Sequence, residues 1–66
     1  MPTRVRDIIA EVEADGWVQA RQAGSHRHYK HATKPGTVTI PGHPSDDLHP
    51  KTEASIRRQA GLGRKR

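Results

Sequence analysis

The sequence has no cysteine, few hydrophobic residues and no long apolar segment. Without cysteine, neither disulfide bonds nor thiolate zinc sites can stabilise the fold, which argues against the usual small secreted scaffold. The 66 residues, of which 30% are hydrophobic, suit one small domain that has a thin core or is stabilised by a partner. No apolar run approaches the roughly 20 residues of a membrane span, and the N-terminus lacks the apolar core of a signal peptide. We therefore expect a soluble, cytoplasmic protein without membrane contact.

Positive charge is in excess, and it is unevenly distributed along the chain. The formal net charge is +5 at pH 7 with histidine neutral. Residues 1–16 contain two arginines against four carboxylates, whereas residues 51–66 contain six lysines or arginines against one glutamate. Each Lys or Arg near a phosphate releases condensed counterions, so this charge favours a polyanionic partner such as a nucleic acid. The alternative is that the charge serves solubility alone.

Residues 4–14 are predicted to form the first helix. Four aliphatic side chains recur at the spacing of one helical face: Val5, Ile8, Ile9 and Val12. This i, i+3, i+4, i+7 pattern is typical of an amphipathic helix. Thr3 suits the N-cap position, and Gly16 can adopt the left-handed conformation that ends a helix.

Three strands are predicted in the middle of the chain. They are separated by two short turns at residues 23–25 and 32–36, both of which contain glycine. The strands cover residues 17–22, 26–31 and 37–40. Short turns between neighbouring strands favour antiparallel hairpins, so we expect a three-stranded meander.

A loop and a second helix complete the expected fold. Residues 41–49 contain two prolines and a glycine, which break a helix and a central strand alike. The second helix is expected over residues 50–60, with a proline at its first position and Gly61 as the left-handed residue after it. The order α-β-β-β-α gives an α+β fold in which both helices cover one face of the antiparallel sheet. Residues 1–62 then form the domain and residues 63–66 a basic tail.

Side-chain alternation assigns strand residues to the two faces of the sheet. In the first strand, Val18 and Ala20 are expected on one face, and the other face receives Trp17, Gln19 and Arg21. In the second strand, Tyr29 is expected in the core, with Arg27 and His31 on its face. The opposite, solvent-facing side then presents His26, His28 and Lys30.

Three roles are open for the histidine-rich stretch GSHRHYKH at residues 24–31. His26 and His28 at i, i+2 could bind a metal, although the neighbouring cations oppose this. A third ligand would have to come from the remaining histidines: His31, His43 or His49. The histidines could instead be ordinary polar strand residues. For catalysis, a histidine beside Arg and Lys can take a proton from a ribose 2′-hydroxyl while the cations stabilise charge on the phosphate, without a metal.

The sequence resembles the HicA family of toxins from bacterial toxin-antitoxin pairs. The resemblance covers nearly the whole chain, from the aliphatic helix through DGWVQARQAGSHRHYKHATKPGTVTIPGHPSDDLHPKT to SIRRQAGL. Its most specific parts are short motifs: Gly16-Trp17, Gly24-Ser25-His26 with the following Lys30-His31, the strand ending in Pro41, and Gln59-Ala60-Gly61-Leu62. Glu53 and Arg57 depart from the aliphatic residues common in the family, so the second helix is expected to be loosely held.

This resemblance implies a fold like that of double-stranded RNA-binding domains and an endoribonuclease that cleaves messenger RNA without a metal or other cofactor. It also implies silencing by a HicB-type antitoxin. The family's essential histidine directly follows the Gly-Ser pair, which makes His26 the expected catalytic residue. Expected RNA-binding residues surround it: Gly24, Ser25, Arg27, His28 and Lys30. The main alternative is a non-catalytic RNA-binding module of the same fold.

We hypothesise a mechanism in which one proton transfer is assigned to a residue and the other is left open. As general base on the 2′-hydroxyl, His26 would produce a 2′,3′-cyclic phosphate. The backbone N–H groups of Gly24 and Ser25 could hold the phosphate, with Lys30 offsetting its charge. The proton donor for the leaving 5′-oxygen stays open between His28, which shares the face of His26, and water.

Overall fold

The computed structural model of the chain describes residues 3–62, and the basic tail expected at residues 63–66 lies outside the described residues. Five elements follow one another: α1 (Val5–Ala14), β1 (Trp17–Ala23), β2 (His26–His31), β3 (Val38–Ile40) and α2 (Pro50–Ala60). The strands form one antiparallel sheet in the order β1-β2-β3. Both helices lie on one side of this sheet, so the predicted α+β fold is confirmed and is consistent with a double-stranded RNA-binding-domain-like architecture.

The core lies between the helices and the inner face of the sheet. Every element contributes to it, and its buried members are Val5, Ile8, Val12, Trp17, Tyr29, Val38, Ile40, Leu48, Ile56 and Ala60. The aliphatic spacing of α1 predicted its inward face correctly, with Ile9 at the edge of the core. Leu48 comes from the loop between β3 and α2, which has no periodic pattern that would have indicated a buried residue.

Helix α1 begins differently from the sequence-based expectation, because its N-cap is Arg4 and not Thr3. The Thr3 hydroxyl donates instead to Glu53 Oε2 on α2, at 3.1 Å. The N–H groups in the first turn of a helix have no acceptor within the helix. In α1, those of Val5 and Arg6 donate to backbone carbonyls of the 41–49 loop at 2.9 and 3.0 Å. The loop therefore satisfies donors that a capping side chain usually satisfies.

The end of α1 is joined to the β2–β3 loop by His31. Its Nε2 donates to the Asp15 carbonyl oxygen at 2.7 Å, and its Nδ1 accepts from the backbone N–H groups of Thr33 and Lys34 at 3.0 and 3.1 Å. Because one nitrogen must donate and the other must accept, these bonds select the Nε2–H tautomer. Gly16 has a φ of 103°, and a Cβ there would lie 2.8 Å from the His31 Nε2 atom. His31 is thus a structural residue.

Strand β1 contains a bulge that changes which side chains share a face. Gln19 is opposite Tyr29, but Arg21 is opposite His28, so Ala20 has no partner in the register. A bulge places two residues of one strand against one of the other. Arg21 therefore lies on the face of Val18, and the predicted placement of Arg21 with Trp17 was wrong.

Helix α2 has the predicted bounds, with Gly61 in the left-handed conformation at φ 73°. Arg57 connects it to α1, because the guanidinium contacts Glu11 at 2.9 Å and also pairs with Glu53. Its hydrogen bond with Arg57 holds the pKa of Glu53 below its ordinary value. Arg57 therefore connects α2 to α1, whereas Glu53 accepts a hydrogen bond from Thr3, which precedes α1. Neither helix within residues 3–62 has the length and apolar character needed to cross a membrane.

Candidate active site on the open sheet face

The sheet has one face without helices, which we call the open face. Strand register defines its members: Val18, Arg21, Ala23, His26, His28, Lys30 and Thr39. The predicted division of β2 is confirmed, since Tyr29 is buried whereas His26 and Lys30 are exposed and His28 is half-buried. This set contains cationic and titratable side chains but no carboxylate, so the open face favours an anionic ligand.

A two-residue turn places His26 at the first position of β2. Ala23 pairs with His26 across the hairpin, which leaves Gly24 and Ser25 as the turn residues. Gly24 has a φ of 60°, as the first central residue of a type II′ turn requires. A Cβ at Gly24 would meet no atom within 4 Å, so backbone conformation and not crowding favours glycine there. The turn fixes an exposed imidazole at one end of the open face.

The imidazole of His26 has no hydrogen-bond partner in the described part of the chain, unlike those of the other two histidines of β2. His28, two residues along the same face, places its Nδ1 atom 3.2 Å from the Thr39 Oγ1 atom of β3. Arg21 is opposite His28 on β1. The open face thus presents one free imidazole, one oriented imidazole and one arginine close together.

Of the remaining predicted site residues, Lys30 and Arg27 lie on opposite faces of the sheet. Lys30 is exposed on the open face opposite Val18. Arg27 lies on the helix side, where its Nη1 donates to the Gly42 carbonyl oxygen at 3.0 Å and so attaches the 41–49 loop to β2. The structure therefore brings Lys30 together with His26 and His28 but places Arg27 on the opposite face.

Tyr29 is the aromatic residue between His28 and Lys30 in sequence. Burial raises the pKa of its phenol above the ordinary value of 10.0, so the side chain stays protonated at neutral pH. It contributes to the core and is unsuited to act as a base.

The metal alternative needed a third ligand beside His26 and His28. His31 is on the other face and both of its ring nitrogens are engaged. His49 accepts from the Lys51 backbone N–H at the start of α2. Across residues 3–62, no three side chains of the types that bind metals come together. The geometry therefore gives no support to a metal site built from these histidines.

Two open-face residues were missed by sequence reasoning. Arg21 was assigned to the other face because a bulge leaves no mark in the alternation of a single strand. Thr39 lies between the apolar residues Val38 and Ile40, so the alternation of β3 did contain a signal for its outward direction. What the sequence could not show is its hydrogen bond with His28, which depends on the register between two strands.

Comparison with known proteins places the chain within a protein family. The model of the family described as HicA toxin of bacterial toxin-antitoxin matches residues 5–62. The matched range includes every helix and strand described above and all the predicted site residues. No curated protein matches the chain.

Proposed function

Because the chain belongs to the HicA toxin family of bacterial toxin-antitoxin systems, we propose that it is an endoribonuclease that cleaves messenger RNA with His26 as the general base. The proposal rests on one observation above the others. An exposed imidazole, free of partners within residues 3–62, stands at the start of β2 on a carboxylate-free, cationic sheet face. This is the environment in which a base can reach an RNA backbone.

In the first chemical step, neutral His26 takes the proton of a ribose 2′-hydroxyl. The 2′-oxygen attacks the adjacent phosphorus, and the products are a 2′,3′-cyclic phosphate and a free 5′-hydroxyl. Histidine is a common general base in catalysis near neutral pH and needs no metal ion for that role. We therefore propose metal-independent cleavage.

Four further residues would bind the RNA backbone. The N–H groups of Gly24 and Ser25 lie in the turn beside His26 and are suited to a phosphate oxygen. Lys30 supplies positive charge along β2, and Arg21 supplies it across the sheet from His28. Arg27 was expected to contribute as well, but its position on the helix side favours a structural role.

The proposed partner is a HicB-type antitoxin that covers the open face. A protein with an acidic surface would be attracted to Arg21 and Lys30 by long-range electrostatics. The antitoxin would also stabilise the thin-cored toxin, since a ligand that binds only the folded state raises its apparent stability. We expect histidine-directed modification to reach His26 in the free chain but not in the complex. Equal modification in both would mean that silencing does not involve covering His26.

Expression in cells and a chelator assay test the proposed activity. Wild-type expression should stop growth and deplete messenger RNA, whereas His26→Ala should do neither while keeping the same circular dichroism spectrum. Purified wild-type protein should cleave RNA in excess EDTA. Loss of cleavage with EDTA and its recovery with zinc would replace the proposed mechanism with a metal-dependent one. A folded wild-type chain that binds RNA without cleaving it would favour the alternative, a non-catalytic binding module.

A further inference from the structure

The cleavage reaction needs a proton donor as well as a base. When the 2′-oxygen attacks, the bond between phosphorus and the 5′-oxygen breaks, and the departing alkoxide must acquire a proton. We propose that His28 is this general acid and that Thr39 positions it, an inference that rests on the proposed function. His28 would donate the Nε2 proton of its imidazolium to the 5′-oxygen, while His26 holds the proton taken from the 2′-hydroxyl.

The spacing of the two histidines suits these complementary roles. They occupy alternate positions of one strand, so their Cα atoms are about 6.6 Å apart and their side chains share the open face. A phosphate placed between them would have one imidazole beside the attacking oxygen and the other beside the leaving oxygen. After one turnover His26 is protonated and His28 is neutral, and exchange with water restores both.

The contact with Thr39 determines which ring nitrogen of His28 can donate a proton to the leaving oxygen. The Nδ1 atom lies 3.2 Å from Thr39 Oγ1, which leaves Nε2 as the ring nitrogen without a partner in the described residues. In the imidazolium, Nδ1–H donates to the threonine oxygen and Nε2–H is available to the substrate. Once the Nε2 proton has left, the neutral ring keeps the same Nδ1–H bond. Proton transfer therefore requires no rearrangement between His28 and Thr39.

Thr39 is itself held in place from the helix side. Its backbone N–H donates to Gln59 Oε1 of α2 at 3.3 Å, and its Cα is paired with that of His28 in the sheet. The hydroxyl is thus positioned by both the β2–β3 register and α2. In contrast, His31 has both ring nitrogens occupied by protein groups and cannot exchange a proton with RNA without breaking those bonds.

The charged groups around His28 suit a bound phosphate. Arg21 faces it from β1, His26 and Lys30 flank it along β2, and β3 contributes the neutral Thr39. Among residues 3–62, no carboxylate lies on this face to compete with the phosphate for the imidazolium. The ligand between the two histidines would therefore be a single phosphodiester group, with its charge offset by the arginine and the lysine.

A substrate with a better leaving group tests the acid role directly. In an RNA whose bridging 5′-oxygen at the scissile bond is replaced by sulfur, the thiolate departs without protonation. On ordinary RNA, His28→Ala should be slower than wild type by about 10²–10⁴-fold, the usual contribution of an acid or base. On the sulfur substrate the same variant should approach the wild-type rate, while His26→Ala should stay slow on both. His43→Ala, which removes an exposed loop histidine, is the matched control and should behave as wild type.

The outcomes separate this inference from the proposed function. If His28→Ala cleaves ordinary RNA at the wild-type rate, or is equally slow on both substrates, His28 is not the acid. If folded wild-type protein cleaves neither substrate, the proposed function itself fails. In the expected case, the alkaline limb of the wild-type pH-rate profile disappears in His28→Ala, because that limb reports loss of the acid's proton.

The positioning role of Thr39 has a separate test. Thr39→Val preserves the branched shape but removes the hydroxyl that meets His28. It should slow cleavage of ordinary RNA by about 10-fold, less than loss of the acid itself, and should leave cleavage of the sulfur substrate unchanged. Thr37→Val, an exposed threonine two residues earlier, is the control and should have no effect on either. An equal loss on both substrates in Thr39→Val would indicate a structural effect and contradict the positioning role.

Discussion

The two faces of the sheet differ in what their polar side chains do. On the helix side, His31, Lys34 and Arg57 are bonded to other elements of the fold. On the open face, Arg21, His26 and Lys30 are exposed and have no ion pair among the described residues. The comparison indicates that the bonded residues on the helix side stabilise the chain, whereas Arg21, His26 and Lys30 on the open face are free for a ligand. Neighbouring residues of β2 thus have opposite roles.

The largest expected difference in stability lies between two histidines of the same strand. His31→Ala removes partners from the Asp15 carbonyl and from two backbone N–H groups, so it should lower the free energy of unfolding by about 2–3 kcal/mol. His26→Ala should change it by less than about 0.5 kcal/mol. Urea unfolding followed by circular dichroism measures both. Equal destabilisation by the two variants would contradict the structural role of His31 and the free state of His26 on the opposite face.

A valine-to-alanine substitution in each outer strand tests the difference between the two sheet faces for apolar residues. Val38 is fully buried, whereas Val18 is 68% exposed. Val38→Ala should cost about 2 kcal/mol, from lost burial plus a cavity. Val18→Ala should cost no more than about 0.5 kcal/mol. A large cost at Val18 in the isolated chain would show that the open face is covered in the free protein.

Acidification should destabilise the fold by protonating the carboxylates of the helix-side ion pairs. Hydrogen bonding to Arg57 lowers the pKa of Glu53 from 4.5, and hydrogen bonding to Lys34 lowers the pKa of Asp15 from 3.8. Their contribution to stability is present above those values and is lost as pH falls through the lower folded-state pKa values. Unfolding free energies from about pH 7 to about pH 3 should therefore decrease.

Substitution at Glu53 separates this effect from general acid sensitivity. Glu53→Gln should reduce the loss of stability on acidification, because the group that must be protonated is gone. Glu13→Gln changes an exposed carboxylate of α1 and is the matched control, with the wild-type pH dependence expected. An identical pH dependence in Glu53→Gln and wild type would show that the Glu53–Arg57 pair does not stabilise the fold.

The smallest expected effects are those of substituting the two arginines nearest His28 in the sheet, one on RNA binding and the other on stability. Arg21→Gln should weaken RNA binding and reduce the slope of log affinity against log salt by about 1. Arg27→Gln should instead lower stability, by about 1 kcal/mol for a lost hydrogen bond, and leave the salt slope unchanged. Filter binding with His26→Ala as background prevents cleavage during the measurement. A reduced slope in Arg27→Gln would support the sequence-based expectation that Arg27 binds RNA.

Local sequence patterns predicted the elements well but not the contacts between them. The aliphatic spacing of α1 and the proline and glycine at the ends of α2 are local signals, and both helices were correctly located. The predicted face of His26, His28 and Lys30 followed from placing Tyr29 in the core. The bulge at Ala20, the burial of Leu48 and the capping of α1 by the 41–49 loop depend on distant partners, and no single-strand pattern contains them.

The candidate site shows the same division between local and distant information. The Gly24-Ser25-His26 turn is a local motif, and the prediction of His26 as the base depends on the family resemblance of that motif. The Thr39 contact with His28 requires the register between β2 and β3. Arg57 forms one ion pair with Glu53 within α2 and one with Glu11 of α1, and the pair with Glu11 could not be seen from α2 alone.

The central claim is that His26 cleaves RNA by attack of the 2′-hydroxyl. Its most direct test is single-turnover cleavage of a defined RNA by purified protein, with identification of the product ends. Wild type should give 2′,3′-cyclic phosphate and 5′-hydroxyl ends in the presence of EDTA, and folded His26→Ala should be slower by at least about 10²-fold. Cleavage by folded His26→Ala at the wild-type rate, or products with a 5′-phosphate, would contradict the claim.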